Sequence, residues 1–190
     1  MTTFEVAEAG SALPGRPAPV SEEEARTRYQ LPMPFGMVPD LVVGEVLPDD
    51  ERWWVPLSES VSFRPLLFGV SGGYYVNVLR VRRSGVLSRH RHSGPVHAFV
   101  LKGRWHYLEH DWVAAEGGYA FEPPGEVHTL VVPDDVDEML TCFHVTGALV
   151  YVDPYGEATG YDDVFTRLDM TRSHYREVGL GVDAAERLIR

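Results

Sequence analysis

A single cysteine, Cys142, occurs in a chain of 190 residues. An intramolecular disulfide is therefore excluded, and a reducing compartment is the natural setting. Its apolar neighbours, Leu140 and Phe143 among them, predict a small buried hydrophobe. Positive charge is scarce as well: the formal net charge is -11, and no run of Lys or Arg interrupts the chain. Phosphate recognition needs clustered positive charge, so nucleic acid and anionic membrane surfaces are excluded as partners. No window approaches the roughly 20 apolar residues of a membrane span. The stretch from Met1 to Gly15 has neither the basic head nor the apolar core of a secretory signal. A soluble, cytoplasmic protein is expected.

What is abundant is punctuation. With 18 glycines, 14 prolines and a hydrophobic fraction of 44%, the chain has enough apolar mass for one core and too many breakers for a helical bundle. Residues 1–40 read as an N-terminal arm. Its first part carries Gly10, Pro14, Gly15, Pro17 and Pro19, and Ser21 with Glu24 makes a capping-box pattern before a helix from Glu22 to Gln30. From residue 41 to 155 short apolar runs follow at turn spacing: Leu41 to Val46, Trp53 to Leu57, Phe63 to Val70, Tyr74 to Val81, His97 to Leu108, Trp112 to Phe121, Thr129 to Val132 and Met139 to Val152. Gly72-Gly73, Ser84-Gly85, Gly117-Gly118 and Pro133-Asp134-Asp135 mark turns between them. This pattern predicts an all-β barrel or sandwich. Residues 156–190 read as a helical tail, with helices over Asp162 to Met170 and Arg172 to Val178. A second capping-box pattern, Asp183 with Glu186, follows. These helices are expected to pack outside the barrel, cover a sheet edge or join a dimer contact.

The chemistry-bearing stretch is Gly85-Val-Leu-Ser-Arg-His90-Arg-His92-Ser-Gly-Pro-Val-His97. Residues two apart in an extended chain point the same way, so His90 and His92 can share one target. Two predicted strands later comes Glu122-Pro123-Pro124-Gly125-Glu-Val-His128. An antiparallel pair of that length returns the chain to the same barrel mouth, where His128 completes a facial set. Three neutral imidazoles hold Fe, Zn, Ni or Cu and leave positions open for water, substrate or dioxygen.

These two stretches resemble the two cupin motifs, G-(x)5-H-x-H-(x)3,4-E-(x)6-G and G-(x)5-P-x-G-(x)2-H-(x)3-N. Gly117, Pro123, Gly125 and His128 match the second. His90 and His92 match the first, with Gly85 one residue closer and Gly103 one residue early. The glutamate position holds His97 and the asparagine position Val132, so the expected ligand set is histidine-only, with His97 either a fourth ligand, a helper beside the metal, or a core histidine bonded to a carbonyl. The longer stretches Trp105-His-Tyr-Leu-Glu-His-Asp-Trp112 and Glu122-Pro-Pro-Gly-Glu-Val-His-Thr-Leu130 resemble the cupin branch named for 2,4'-dihydroxyacetophenone dioxygenase. That similarity runs from about Val70 to Leu180.

The resemblance implies a double-stranded β-helix barrel and a non-haem Fe(II) dioxygenase that cuts a C–C bond beside a carbonyl in a small, aromatic hydroxyketone or diketone. Fe(II) is the first expectation, with Zn, Ni, Mn or Cu as other metals for such a set. Glu122 is expected to orient a ligand imidazole or accept a substrate proton. A histidine-only site leaves extra positive charge on the metal and so favours an anionic chelating substrate. The alternative is a redox-neutral Zn or Ni cupin of the polyketide-cyclase or isomerase kind. A non-catalytic sensing role ranks last, because the N-terminal helix is single and the chain acidic. Glu109, His110 and Asp111 are expected to serve the turn before Trp112, and His106 and His144 to be ordinary strand histidines. Most of Phe99, Trp105, Tyr107, Trp112, Tyr119, Phe121 and Phe143 are expected in the core. Arg80, Arg82 and Arg89 suit an exposed strand face. The expected partners are a small-molecule substrate, dioxygen and a second copy in a homodimer, formed through strands and the N-terminal arm.

Overall fold

The structure, a computed structural model, describes residues 20–190. The arm expected before Val20 lies outside the described residues. The described residues fall into two units that divide after Val38. In the first, helix α1 spans Glu22–Arg26, and Ser21 Oγ accepts a hydrogen bond from the Glu24 amide at 3.2 Å. It stops short of the expected Gln30 because none of its residues is buried, and five residues without tertiary support lie near the nucleation limit.

The second unit is built from strands. A 3-10 turn at Glu51–Trp53 leads into β1 (Val55–Pro56), β2 (Val61–Gly69), β3 (Tyr74–Val81), β4 (Gly85–His92), β5 (Val96–Lys102), β6 (Arg104–Tyr107), β7 (Val113–Ala115), β8 (Tyr119–Glu122), β9 (Val127–Val132), β10 (Met139–Thr146), β11 (Leu149–Val152) and β12 (Ala158–Asp162). They form two antiparallel six-stranded sheets, ordered β1-β2-β3-β10-β5-β8 and β12-β11-β4-β9-β6-β7. This is the expected all-β jelly-roll class. Helices α2 (Val164–Glu177) and α3 (Asp183–Glu186) follow.

Several predicted runs split where glycine enters the left-handed region. Gly103, at φ 71°, separates β5 from β6, and Gly147, at φ 74°, separates β10 from β11. A single long strand was expected at both places. Leu41 to Val46, predicted as a strand, is irregular. Leu41 and Val43 pack on the core, but the edge of β2 is already occupied. β1 pairs with its first half, and the Phe68 backbone pairs with Leu188 and Arg190 at 2.8 and 2.9 Å. The last residues thus cover a sheet edge.

The two helices expected over Asp162 to Val178 are one helix, α2. Asp163 caps it with a full capping box to Thr166. The cap expected at Asp183 is absent: Val182 holds that place and makes no side-chain cap bond. Helix α2 buries Val164, Arg167, Leu168, Thr171 and Tyr175. Tyr175 accepts a hydrogen bond from Arg64 at 2.9 Å and meets Trp53 edge-on.

The core lies between the sheets around Phe63, Trp105, Tyr107, Met139 and Phe143. The expectation for the aromatics holds only for the inner face. Phe99, Tyr119 and Phe121 are each more than half exposed on the outer face of the first sheet, and Trp112 is partly exposed. Cys142 is half-buried on that outer side, beside Val78, Leu140 and Trp54. Arg80 is not on an exposed face. Its guanidinium lies 4.0 Å over the Trp54 ring and bonds Glu51 and Ser62, because the loop carrying Trp54 folds over this part of the sheet. Among the described residues no helix is long and apolar enough to cross a membrane.

Candidate metal centre

The site is built by strand alternation and register. On β4, His90 and His92 are buried while Arg91 between them is exposed. β9 pairs antiparallel with β4, and His90 stands directly opposite His128. On β8, Tyr119 and Phe121 face out, so Glu122 faces in and is 1% exposed. The other sheet therefore contributes a carboxylate to a cluster whose three histidines come from β4 and β9. One ligand atom from each of His90, His92, Glu122 and His128 lies within 4.8 Å of the others.

This donor set suits a divalent cation. Glu122 Oε2 is 3.0 Å from His92 Nε2 and 3.6 Å from His128 Nε2. Despite these separations neither contact has hydrogen-bond geometry, and both nitrogens of His92 and His128 and both Glu122 oxygens lack any partner. Six buried polar atoms without partners would be costly in a purely structural cluster, and a shared cation removes that cost. Burial, reinforced by the neighbouring His92 and His128, holds His90 well below the ordinary histidine range. Burial likewise lowers His128 to about 4, with the Glu122 charge opposing it. Both are therefore neutral at pH 7, the form that ligates metals. Orientation is fixed around them. Ser88 Oγ lies 3.1 Å from His90 Nδ1, leaving Nε2 for the ion, and the Tyr107 ring stacks on His128 at 3.8 Å and 3°.

His97 is not part of this cluster. It does share a face with Phe99 and Leu101, but that face is the outer one, because Val96, Ala98 and Val100 fill the interior. Its Nδ1 bonds the Tyr119 hydroxyl at 2.8 Å, and its ring stacks on His144 at 5.8 Å. The cluster thus holds three histidines and a carboxylate in place of the expected histidine-only set, and His97, on the outer face, is not a member of it. Glu109 is engaged elsewhere, accepting from the Thr129 amide and hydroxyl at 2.7 and 2.8 Å. His110 pairs with Glu126, and His106 points away from the core beside buried Trp105 and Tyr107.

The cluster opens on a cavity of about 250 Å³ between the sheets. Leu79, Leu87, Leu130, Phe143, Val145 and Leu149 give it an apolar wall. Polar groups also reach it, among them Tyr75, Asn77, Arg83, Tyr107, Tyr151 and Arg167. Sequence reasoning did not single out Tyr75, Asn77, Tyr151 or Arg167 for the site. The alternation of β3, with Tyr75 and Asn77 on the face of Leu79, was the available signal. For Arg167 there was none, since a helix brings it in.

The sequence profile of the ChrR Cupin-like domain matches residues 44–150. The chain belongs to the ChrR cupin-like family. No curated protein matches it. Among solved structures, an RmlC-like cupin protein from Ralstonia eutropha JMP134 is similar with a TM-score of 0.64 and 25% identity, covering 66% of this chain and 83% of that one. An acetylacetone dioxygenase from Acinetobacter johnsonii gives a TM-score of 0.59 at 16% identity, covering 73% of this chain and 97% of that one. A putative acetylacetone dioxygenase from Methylibium petroleiphilum PM1 gives 0.58 at 17%, covering 70% and 97%. The latter two establish likeness of fold. The match spans β4, β8 and β9, so all four members of the cluster lie inside the cupin-like segment.

Proposed function

We propose that this cupin is an Fe(II)-dependent dioxygenase that cuts a C–C bond beside a carbonyl in a small hydroxyketone or β-diketone. The observation that carries the proposal is a buried three-histidine, one-carboxylate cluster at one side of a largely apolar cavity. The sequence resemblance to the 2,4'-dihydroxyacetophenone dioxygenase branch supports it, as do fold neighbours described as acetylacetone dioxygenases.

His90, His92, His128 and Glu122 would hold the ion. Bound there, iron(II) would supply Lewis acidity toward two adjacent substrate oxygens and the electrons that let dioxygen react. The protein's own groups do the rest. Glu122 Oε1 has no hydrogen-bond partner and can take the acidic proton of the substrate. The Tyr107 hydroxyl is held protonated by burial and by the charge and proximity of Glu122, so it can donate to that carboxylate or to a substrate oxygen. The apolar wall lowers the local dielectric, which strengthens both interactions. In the overall change each carbon of the broken C–C bond gains one oxygen atom of dioxygen, so a β-diketone gives a carboxylic acid and a 1,2-dicarbonyl, and an α-hydroxyketone gives two carboxylic acids.

Iron-loaded protein supplied with acetylacetone or 2,4'-dihydroxyacetophenone should consume one dioxygen per substrate cleaved. Turnover that continues undiminished without oxygen would sink the proposal. A second reading draws on Glu122: a carboxylate beside three imidazoles also suits zinc or nickel as a redox-neutral Lewis acid. Protein purified without added metal that carries zinc or nickel, and shows no oxygen uptake after iron loading, would select it.

A further inference from the structure

Two arginines line the cavity: Arg83 is exposed and bonds the Val86 carbonyl, whereas Arg167 is buried. Arg167 projects from α2 into the cavity lining and is only 5% exposed. Its Nη2 bonds Asp162 Oδ2 at 2.8 Å, and the same carboxylate oxygen accepts from the Tyr151 hydroxyl at 2.8 Å. Its Nε and Nη1 are buried and make no hydrogen bond of good geometry, and the Tyr75 hydroxyl is the one protein group close enough to act on them. The guanidinium lies over the Phe63 ring at 4.7 Å, with Tyr75 at 5.8 Å.

A tie between α2 and β12 would explain the Nη2 bond alone. It leaves the remaining N–H groups unexplained, and a buried donor without a good acceptor is destabilising. A methionine or leucine would fill the same space under the helix without that cost. The two carboxylates near the cavity are already engaged, Glu122 with the metal cluster and Asp162 with Arg167 and Tyr151. A divalent ion beside Glu122, and Arg167 beside Asp162, therefore leave the cavity net positive.

Register places this charge within reach of a small molecule. Tyr151 stands directly opposite His90 across one strand pair, so their backbones are about 5 Å apart. Across the first sheet, Glu122, Val96, Val145 and Tyr75 lie in one row. Three strand spacings, about 14 Å along the sheet, separate the first from the last. Tyr75 and Asn77 thus line the cavity on the side away from Glu122, and Tyr75 does so beside the guanidinium.

We infer that Arg167 is a specificity-determining residue that binds a carboxylate on the substrate, so the natural substrate is a dicarbonyl or hydroxyketone that also carries an acid group. The planar guanidinium suits paired hydrogen bonds to a carboxylate, and burial makes them strong. Neutral diketones would bind the metal end and leave Arg167 unmet. The inference rests on the oxygenase reading for the chelating part of the substrate, and on Arg167 for the acid.

The two can be tested apart. Zinc-loaded protein, inert toward dioxygen, is titrated by calorimetry with 2,4-dioxopentanoate and with acetylacetone. These probes share the β-dicarbonyl unit and differ by one carboxylate. Wild type should bind the acid at least about tenfold tighter, a preference expected for charge-assisted bonds. Arg167→Gln, checked for zinc content and melting temperature, should bring the ratio close to one, while Arg167→Lys keeps part of it. Asp162→Asn removes the competing charge, yet its amide oxygen can still accept from Tyr151 and Arg167, so the ratio should rise several-fold. A wild-type ratio near one overturns the inference. So does an unchanged ratio in folded, zinc-loaded Arg167→Gln, which would assign the preference to the metal. If that variant does not fold, Asp162→Asn decides, and a ratio that stays level or falls counts against Arg167. No oxygen chemistry enters this measurement, so it stands or falls separately from the oxygen-uptake test.

Discussion

At the scale of single residues, positions 97 and 122 exchange the parts that motif spacing suggests. The cupin pattern puts the acidic ligand on β5, where this chain has His97. The structure takes its carboxylate from Glu122 on β8, the strand that pairs with β5. Spacing alone could not show this, because the decisive fact is parity. His97 and Glu122 sit on neighbouring strands and face opposite sides of the same sheet. Calorimetry with zinc should find full stoichiometry in His97→Ala and at least about tenfold weaker affinity in Glu122→Gln. Loss of the metal in the first, with no effect in the second, would reverse the assignment. The histidines also set a pH response. His128 is held down to about 4 in the folded protein, against an ordinary 6.5. Protons therefore bind more readily to the unfolded chain between these values. The contribution of His128 to metal-free stability is complete above pH 6.5 and lost as pH falls through about 4. Melting temperatures of metal-free protein should fall over that window, and less steeply in His128→Gln.

At the scale of elements, the alternation of β3 was legible because it has one face in the core, and β4 was legible through the paired His90 and His92. The β5–β6 and β10–β11 breaks were harder to see, since apolar residues continue through them. Gly103 shows the physical reason for one break. At φ 71° it turns the chain, and a Cβ there would stand 2.6 Å from the Glu138 carbonyl oxygen. Gly103→Ala should therefore cost about 1–3 kcal/mol in urea unfolding, since both the backbone and the contact resist it. A change within about 0.5 kcal/mol would mean the turn relaxes freely. The false strand at Leu41 to Val46 teaches the converse. Its residues have the right propensity, yet β1 and the Leu188–Arg190 segment already occupy the β2 edge. Helix α2 illustrates a third case, in which a helix carries a charged residue, Arg167, into the barrel cavity on a face that otherwise reads as core.

At the scale of the whole molecule, two sheets divide the aromatic residues into distinct populations. Trp105 is fully buried and donates its indole N–H to Thr141 at 3.1 Å. Phe121 is half exposed on the outer face, near His97. Trp105→Ala should cost about 3–5 kcal/mol, whereas Phe121→Ala should cost less than about 1 kcal/mol, both read from urea unfolding of metal-loaded protein. Comparable losses would mean the outer face is covered by something beyond this chain. The same division explains why composition overestimated the core. Aromatic residues in β5 and β8 alternate as regularly as core residues do, and alternation does not say which face is inside.

The sequence by itself determined the all-β class, several of the turns and the three imidazoles, because alternation, glycine clusters and the His90–His92 pair are local properties. Only the tertiary structure decided the fourth member of the cluster and the charge in the cavity. Glu122 and Arg167 arrive from β8 and α2, remote in sequence from β4, and the inward direction of each depends on register and helix docking rather than on its own neighbours.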